Sequence, residues 1–544
     1  MMKSPALSGV NYDTLVLNKQ EKTPVCSVPS RCSMTLLERC CRELIKHGPL
    51  VDLAAEVLPA HLVPVLLKTA MDHTEHQAIS SIIASWPFKS LCFRSILPLE
   101  QKALFEESMG FDLYVFKGIL RRTKACKMAC LDFSGFELND TFAKLIIQMW
   151  PILSLKKSQL KPKKLSKVIM KAAHITGDSV ARIMNVIMPQ ILKDLLGHEM
   201  VKSSDFSINM PPGEKLVVKL DNVYFTTNNF FFMDYFICNC LRSVTPVYVD
   251  VANIYMRSES SFRNPDEIIA PFIVFCGQSE EILEGVSLHH LDEGVFLRIS
   301  QELRKFTRLR ALDIQDCNIY LQEGITRRRT SVRLQMINTL ACFSSLVRLD
   351  IGFNYLLGCL GELLDALVCP LEYLSVCGCD LNEKDLENLV QSKHAQSLRE
   401  LNLGKLCQYS VYTVDRISPN YLIGITKHFT NLVALRLQRN NLPNSVIPGL
   451  CDILTNHLIR LKGLDISRNI FSDVSHMQLV RACAQMKTIQ KLRLTCFHSL
   501  AEEILNPGNH VNMQQQLMQL LNTLGRPDIK LDLVRFSFAI MIED

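Results

Sequence analysis

Through the C-terminal half of the chain, apolar and polar positions alternate in one repeated phrase, Leu-x-x-Leu-x-Leu-x-x-(Asn or Cys)-x-Leu. The clearest copies are Leu346, Leu349, Ile351, Asn354, Leu356; Leu371, Leu374, Val376, Cys379, Leu381; Leu432, Leu435, Leu437, Asn440, Leu442; and Leu461, Leu464, Ile466, Asn469, Phe471. Weaker copies begin at Leu309, Leu398 and Ile489, and fainter ones are carried by Met128, Leu131, Phe133 and by Val244, Val247, Val249, Ala252, Ile254. The period-two core of each copy predicts a short strand with one buried face, and the Asn or Cys beyond it can bond backbone where the chain turns away. Helical spacing follows, as in Leu381 to Val390, and predicts a helix covering the opposite side.

A single copy cannot bury its own leucines, so neighbouring copies must stack. The phrase and its period are those of leucine-rich repeats. They predict an α/β fold, a curved leucine-rich repeat solenoid with parallel strands on its concave face. The division expected along the chain is a tail over 1–33 and a helical cap over 34–115. Degenerate repeats follow over 116–300, with a lysine-rich insertion near 155–168, and regular repeats with a C-terminal cap over 301–544. In the cap, helical patterns run from Met34 to about Gly48, Val51 to Val57, Leu62 to Thr69, Ile79 to Ala84 and Gln101 to Met109, punctuated by Pro49 and Pro59.

Composition adds constraints. The twenty cysteines of this 544-residue chain could suggest disulfides. Yet Met1-Met-Lys-Ser-Pro-Ala opens no apolar run of signal-peptide length, and no uninterrupted apolar stretch reaches membrane-spanning length. The expectation is a cytoplasmic protein, with the nucleus as a second location, no membrane partner, and Cys317, Cys359 and Cys379 acting as small buried hydrophobes. No Cys-x-x-Cys occurs and no histidine pair stands beside a cysteine pair at ligand spacing, so neither a metal nor another cofactor is expected. His289-His290 reads as an ordinary loop or helix pair. The net charge of +6 gathers in Lys156 to Lys167 and in Arg327, Arg328, Arg329 and Arg333. Such runs serve as import signals, nucleic-acid contacts or solvated loops; without interleaved aromatics the loop is favoured over nucleic acid.

Two cap segments carry further information. Thr35-Leu-Leu-Glu-Arg-Cys40-Cys-Arg-Glu-Leu44 puts Leu36, Cys40 and Leu44 on one helical face, and Leu58-Pro59-Ala-His-Leu62-Val63-Pro-Val-Leu-Leu67 follows. The first resembles the box by which substrate receptors bind elongin C, and the second stands where cullin-2 receptors carry a hydrophobic-Pro box. An amphipathic helix docking on its own cap would show the same spacing. In this order, and with Trp86-Pro87-Phe88, Leu131-Asp132-Phe133, Cys369-Pro370-Leu371-Glu372 and Gly525-Arg526-Pro527, the chain resembles the PRAME family from about residue 35 to its end. Ser392 to Leu398 and Leu241 to Pro246 are most similar to its leucine-rich-repeat-containing protein 14 branch. The chain departs from PRAME itself in its ending, Phe536 to Asp544, and in the lysine-rich insertion.

The resemblance implies a substrate-recognition subunit of a cullin-2/elongin BC ubiquitin ligase, with Thr35, Leu36, Cys40 and Leu44 on elongin C of the elongin B/C pair and Leu58, Pro59, Leu62 and Val63 on cullin-2. It also implies, as an alternative, negative regulation of NF-κB signalling through an IκB kinase subunit; a transcriptional co-regulator is a third reading.

In each phrase the third, fifth, seventh and eighth positions face away from the leucines. Among them are Asp313, Gln315, Asp316, Arg348, Asp350, Phe353, Tyr373, Ser375, Glu400, Asn402, Arg436, Gln438, Arg439, Asp465, Ser467, Arg468, Lys491 and Arg493. This stripe is acidic at its start and mostly basic at its end. It is expected either to bind a protein of complementary charge, with Phe353 and Tyr373 as anchors, or to be a plain solvated sheet face. No Gly-rich phosphate loop, Gly-x-Ser-x-Gly or His-Glu-x-x-His is present, and catalysis is not expected.

Overall fold

The structure, a computed structural model, describes residues 35–96, 111–134, 216–226, 247–257, 282–321, 327–407, 417–497 and 509–536. The tail over 1–33, the pattern over Gln101 to Met109 and the Lys156 to Lys167 cluster lie outside the described residues.

Thirteen strands form one parallel sheet in which spatial order follows chain order. They are β1 (Ser90–Cys92), β2 (Cys130–Asp132), β3 (Leu216–Thr226), β4 (Val247–Arg257), β5 (Gly285–His289), β6 (Ala311–Asp313), β7 (Arg348–Asp350), β8 (Tyr373–Ser375), β9 (Glu400–Asn402), β10 (Ala434–Arg436), β11 (Gly463–Asp465), β12 (Lys491–Phe497) and β13 (Lys530–Phe536). From β5 onward the fourth phrase position forms one column across the sheet: Val286, Leu312, Leu349, Leu374, Leu401, Leu435, Leu464, Leu492 and Leu531 are successive partners. All but the last are buried. Sequential parallel pairing of this kind is the leucine-rich repeat solenoid, in which each unit's core is completed by its neighbours.

The Asn position explains why the repeats stay in register. The Asn354 amide oxygen accepts from the backbone N–H groups of Cys317 (3.1 Å) and Ile319 (3.2 Å), and its Nδ2 donates to the carbonyls of Ile314 (2.7 Å) and Ile351 (3.0 Å). Asn440 does the same for Leu406, Cys407, Leu403 and Leu437. Asn469 in turn serves Asn440, Leu442, Leu437 and Ile466. Each asparagine thus satisfies buried backbone of its own and the preceding repeat. The cysteines at the same position, Cys317 and Cys379, instead lend a thiol to Leu288 and Ile351 carbonyls. Burial pushes the Cys317 thiol up to about 12 and Cys379 well above its usual range, so both are inert hydrophobes, as their repeat position predicts.

The cap comprises α1 (Leu36–Leu44), α2 (Gly48–Val57), α3 (Val63–Asp72), α4 (His76–Ala84), the single-turn α5 (Phe93–Ile96) and α6 (Phe111–Leu120). Pro49 and Pro64 lie in the first turns of α2 and α3, where a missing N–H costs nothing. Strand β1 falls inside the segment read as cap: Trp86 is buried and donates its indole N–H to the Ser90 carbonyl (3.0 Å), which turns the chain into the sheet.

The repeat read at Val244 to Ile254 is out of phase. Leu131 pairs through Val218 with Val249, whereas Ile254, expected at the last phrase position, lies in the central column beside Val286. Strands β3 and β4, each of 11 residues, therefore carry two columns five residues apart, a step of roughly 17 Å along the strand. Strands β3 and β5 escaped the reading; around β5, Leu283, Val286, Leu288 and Leu291 are buried with the same spacing.

Candidate functional site

The faces of β5 to β12 opposite the leucines form a continuous polar surface, and its polar groups are engaged with one another. At the acidic end, Asp313 Oδ2 lies 2.8 Å from His289 Nε2 and accepts from the Ser287 hydroxyl at 3.1 Å. Ser287 Oγ is also 2.9 Å from the same His289 Nε2. A hydrolytic triad uses opposite imidazole nitrogens for its hydroxyl and its carboxylate. Here one nitrogen meets both, so no relay exists. His290 makes a parallel pair with Asp316 at 2.7 Å.

Asp350 stands next to Asp313 across the strands and is 6 % exposed. Its Oδ1 accepts from the Gly352 N–H (3.0 Å) and its Oδ2 from the Tyr373 hydroxyl (2.9 Å). Burial, and next the charge of Asp313, push its carboxyl up to about 6. Asp313 Oδ1 is itself buried with no hydrogen-bond partner. Arg348 turns away from these acids: its guanidinium lies 4.4 Å over the Tyr373 ring and 3.5 Å from Glu400. Asp350, expected at the surface, therefore shapes the face from beneath, and Tyr373 presents a half-buried ring whose hydroxyl is engaged.

In the middle, Gln438 Nε2 donates to Asn402 Oδ1 (3.1 Å) and Asn402 Nδ2 to Ser375 Oγ (3.2 Å). Gly404 leaves room for that reach, since a Cβ there would stand 2.5 Å from Gln438 Nε2. The basic end holds Arg436, Arg439, Arg468 and Arg493, with Arg493 3.3 Å from Asp532 and 3.8 Å from Asp465. Its charge is partly compensated, so the gradient is shallower than the residue types alone imply.

The eighth phrase position has a conformation the sequence did not announce. His290, Asp316, Phe353, Gly378, Lys405, Arg439 and Arg468 all have φ between 52° and 66°, in the left-handed range. Six are not glycine, and such backbone costs of order 1 kcal/mol or more per residue. What holds it is a ladder: the N–H groups of Asp316, Phe353, Gly378, Lys405 and Arg439 donate to the seventh-position carbonyls of the next repeat, Gly352, Cys377, Gly404, Gln438 and Ser467, at 2.7–3.1 Å. The result is a row of side chains along one edge of the face. Phe353 is its exposed aromatic, with Lys405 Nζ 5.1 Å above the ring. Gly378 is the one glycine, and a Cβ there would stand 2.9 Å from Phe353.

At the cap, α1 is anchored by buried Cys41 and Ile45. Thr35 and Cys40 are exposed, Leu36 is 79 % exposed and Leu44 half-buried. Of the second segment, Pro59 is exposed, Leu58 and Leu62 half-buried, and Val63 lies wholly in the core, where it offers no surface to a cullin. Among the described residues no group of three or more His, Cys, Asp or Glu could hold a metal ion, and no helix is long and apolar enough to cross a membrane.

The thirteen-stranded parallel sheet and its repeated asparagine ladder define a leucine-rich repeat protein. Among solved structures the chain is similar to the leucine-rich repeat-containing protein LegL7 from Legionella pneumophila, with a TM-score of 0.34 and 14 % identity over 61 % of this chain and 86 % of that one. No family model matches the chain. No curated protein matches it either.

Proposed function

We propose that this protein is a non-catalytic adaptor of the PRAME type, which docks elongin C of a cullin-2 ligase through α1 and holds a target protein on its strand face. The observation that carries the reading is the orientation of α1. Its own packing runs through Cys41 and Ile45, while Leu36 and Cys40 are turned to solvent. Burying that leucine in a partner's pocket would contribute about 1.5–3 kcal/mol to docking. Leu58, Pro59 and Leu62 follow with surface available to the cullin. Nothing among the described residues favours an IκB kinase subunit or a transcription complex as the partner instead.

Two experiments test the two ends. Capture of purified elongin B/C by the full chain is expected to be lost in the double variant Leu36→Ala, Cys40→Phe, because the first removes the knob and the second keeps the helices apart. Equal capture by wild type and variant, or none by wild type, sinks the ligase reading. For the target, Arg436→Glu with Arg439→Glu is expected to remove at least one protein from a cross-linked partner inventory, since a reversed rim charge repels the partner that the arginines steered. An unchanged inventory rejects the strand face as the holding surface.

A further inference from the structure

The charges of the strand face are answered at its two ends and left over between them. Asp313 meets His289 and Ser287 through Oδ2, Asp316 meets His290, and Asp350 is buried beneath the Tyr373 hydroxyl. Arg348 pairs with Glu400, and Arg493 lies beside Asp465 and Asp532. Among the described residues, no carboxylate stands at ion-pair distance from Lys405, just past β9, or from Arg436 and Arg439, at the end of β10 and just past it.

These three cations gather around one spot. Burial, and next the charge of Asp350, push the Cys377 thiol up to about 12, while Lys405, Arg439 and Arg436 pull it down from their side. Next to Cys377, the Phe353 ring and the Lys405 stem lean over Gly378. A Cβ added there would stand 2.9 Å from one ring carbon and 3.5 Å from Lys405 Cδ, and Lys405 Nζ lies 5.1 Å from the ring centroid. Phe353 is exposed and the three cations are half-buried. Partly buried charges are screened less than those in open water, so a carboxylate arriving among them is held more firmly than at a bare surface lysine.

We infer that Phe353, Lys405, Arg436 and Arg439 form the target-holding site of the strand face, and that it takes a short acidic segment of a protein, with carboxylates on the three cations and an apolar side chain beside Phe353. The inference rests on the reading above that this face holds the target. Charge complementarity and width select the occupant. The uncompensated window runs from β8 to β10, two strand spacings or about 10 Å, with Asp350 on β7 and Asp465 on β11 to either side. A basic segment would find only carboxylates that are already engaged. A nucleic-acid strand tracks a cationic groove over about 4 nucleotides or more and stacks its bases on successive aromatics. Here carboxylates flank the window, and the Tyr373 ring is covered by Arg348, which leaves Phe353 as the exposed ring.

The test measures binding of the full chain to a fluorescein-labelled Glu-Glu-Glu-Leu-Glu-Glu-Glu peptide by fluorescence anisotropy, beside the same peptide with Gln for every Glu and a short single-stranded oligothymidine. Wild type is compared with Arg436→Gln plus Arg439→Gln, with Phe353→Ser, and with Lys384→Gln plus Lys427→Gln, which removes equal charge from exposed positions on the helices. The glutamate peptide is expected to bind wild type, to weaken roughly tenfold in the arginine variant and roughly threefold in Phe353→Ser, and to stay within about twofold in the lysine variant. Absence of binding by wild type, equal binding of the glutamine peptide, or equal loss in the arginine and lysine variants overturns the inference. Tighter binding of the oligothymidine also overturns it, because the window is then a nucleic-acid contact. The cross-linked partner inventory separates the two readings. If Arg436→Glu with Arg439→Glu removes a partner while the glutamate peptide fails, the strand face still holds the target and this inference alone falls; if the inventory is unchanged as well, both fall.

Discussion

Asn354→Leu is expected to destabilise the protein by about 3–5 kcal/mol, although leucine fills nearly the same volume. The substitution strands two donors, the N–H groups of Cys317 and Ile319, and two acceptors, the carbonyls of Ile314 and Ile351, all in a buried setting. Each buried group left without a partner costs about 1–3 kcal/mol. Cys379→Ala at the equivalent position removes a thiol that donates mainly to the Ile351 carbonyl, and should cost about 1 kcal/mol or less beyond its small cavity. In a stack whose units contact only their neighbours, the damage should also be local. Hydrogen exchange at Cys317 and Ile319 should accelerate far more than at Leu442, which Asn469 serves. Equal melting of Asn354→Leu and wild type would show that the asparagine ladder is ornamental.

The second large effect is a pH dependence. The carboxyl of Asp350 sits up to about 6 in the folded protein because it is buried and faces Asp313. It returns to an ordinary carboxyl near 4 on unfolding. A raised folded value means that its contribution is fully present below about pH 4 and is lost as pH rises through about 6, with no further change above. The stability at stake is about 3 kcal/mol at most. The groups facing the pair are Ser287 and His289 on β5, Tyr373 and Ser375 on β8, and more distantly Arg436 on β10. Asp313→Asn keeps an oxygen for Ser287 and His289 and removes the repulsion. The difference in melting temperature between this variant and wild type should shift in favour of the variant by several degrees from pH 4 to pH 7.5. A constant offset across that range would mean that the two carboxyls do not interact.

Much of this fold was legible because the repeat phrase couples two independent periodicities, a strand of period two and a fixed Asn or Cys four or five positions beyond it. Ile254 was misplaced because β4 is long enough to hold two columns, and a window of eleven residues cannot tell which column its neighbours use. The β5 repeat was missed although Leu283, Val286 and Leu288 fit, since Leu291 replaces the Asn or Cys that served as the marker. At the strand face, residue identity located the acidic and basic ends but not their engagement. Whether Asp350 is a surface charge or a buried carboxyl under Tyr373 depends on side-chain direction, which spacing does not encode. The left-handed eighth position was invisible for a related reason. Phe353, Lys405 and Arg439 are not residues that announce such backbone, and the ladder to the next repeat supplies what the local sequence lacks.

That ladder also fixes a ruler. One eighth-position residue follows each strand from His290 after β5 to Arg468 after β11, all but Gly378 with a side chain, and adjacent strands are about 4.8 Å apart. An extended ligand laid along the row offers a same-side residue about every 6.7 Å and slips out of step by nearly 2 Å per strand. A helix offers one turn about every 5.4 Å, a mismatch of only ~0.6 Å. Over three or four strands the spacing of the row therefore matches the turns of a helix more nearly than the repeat of an extended chain.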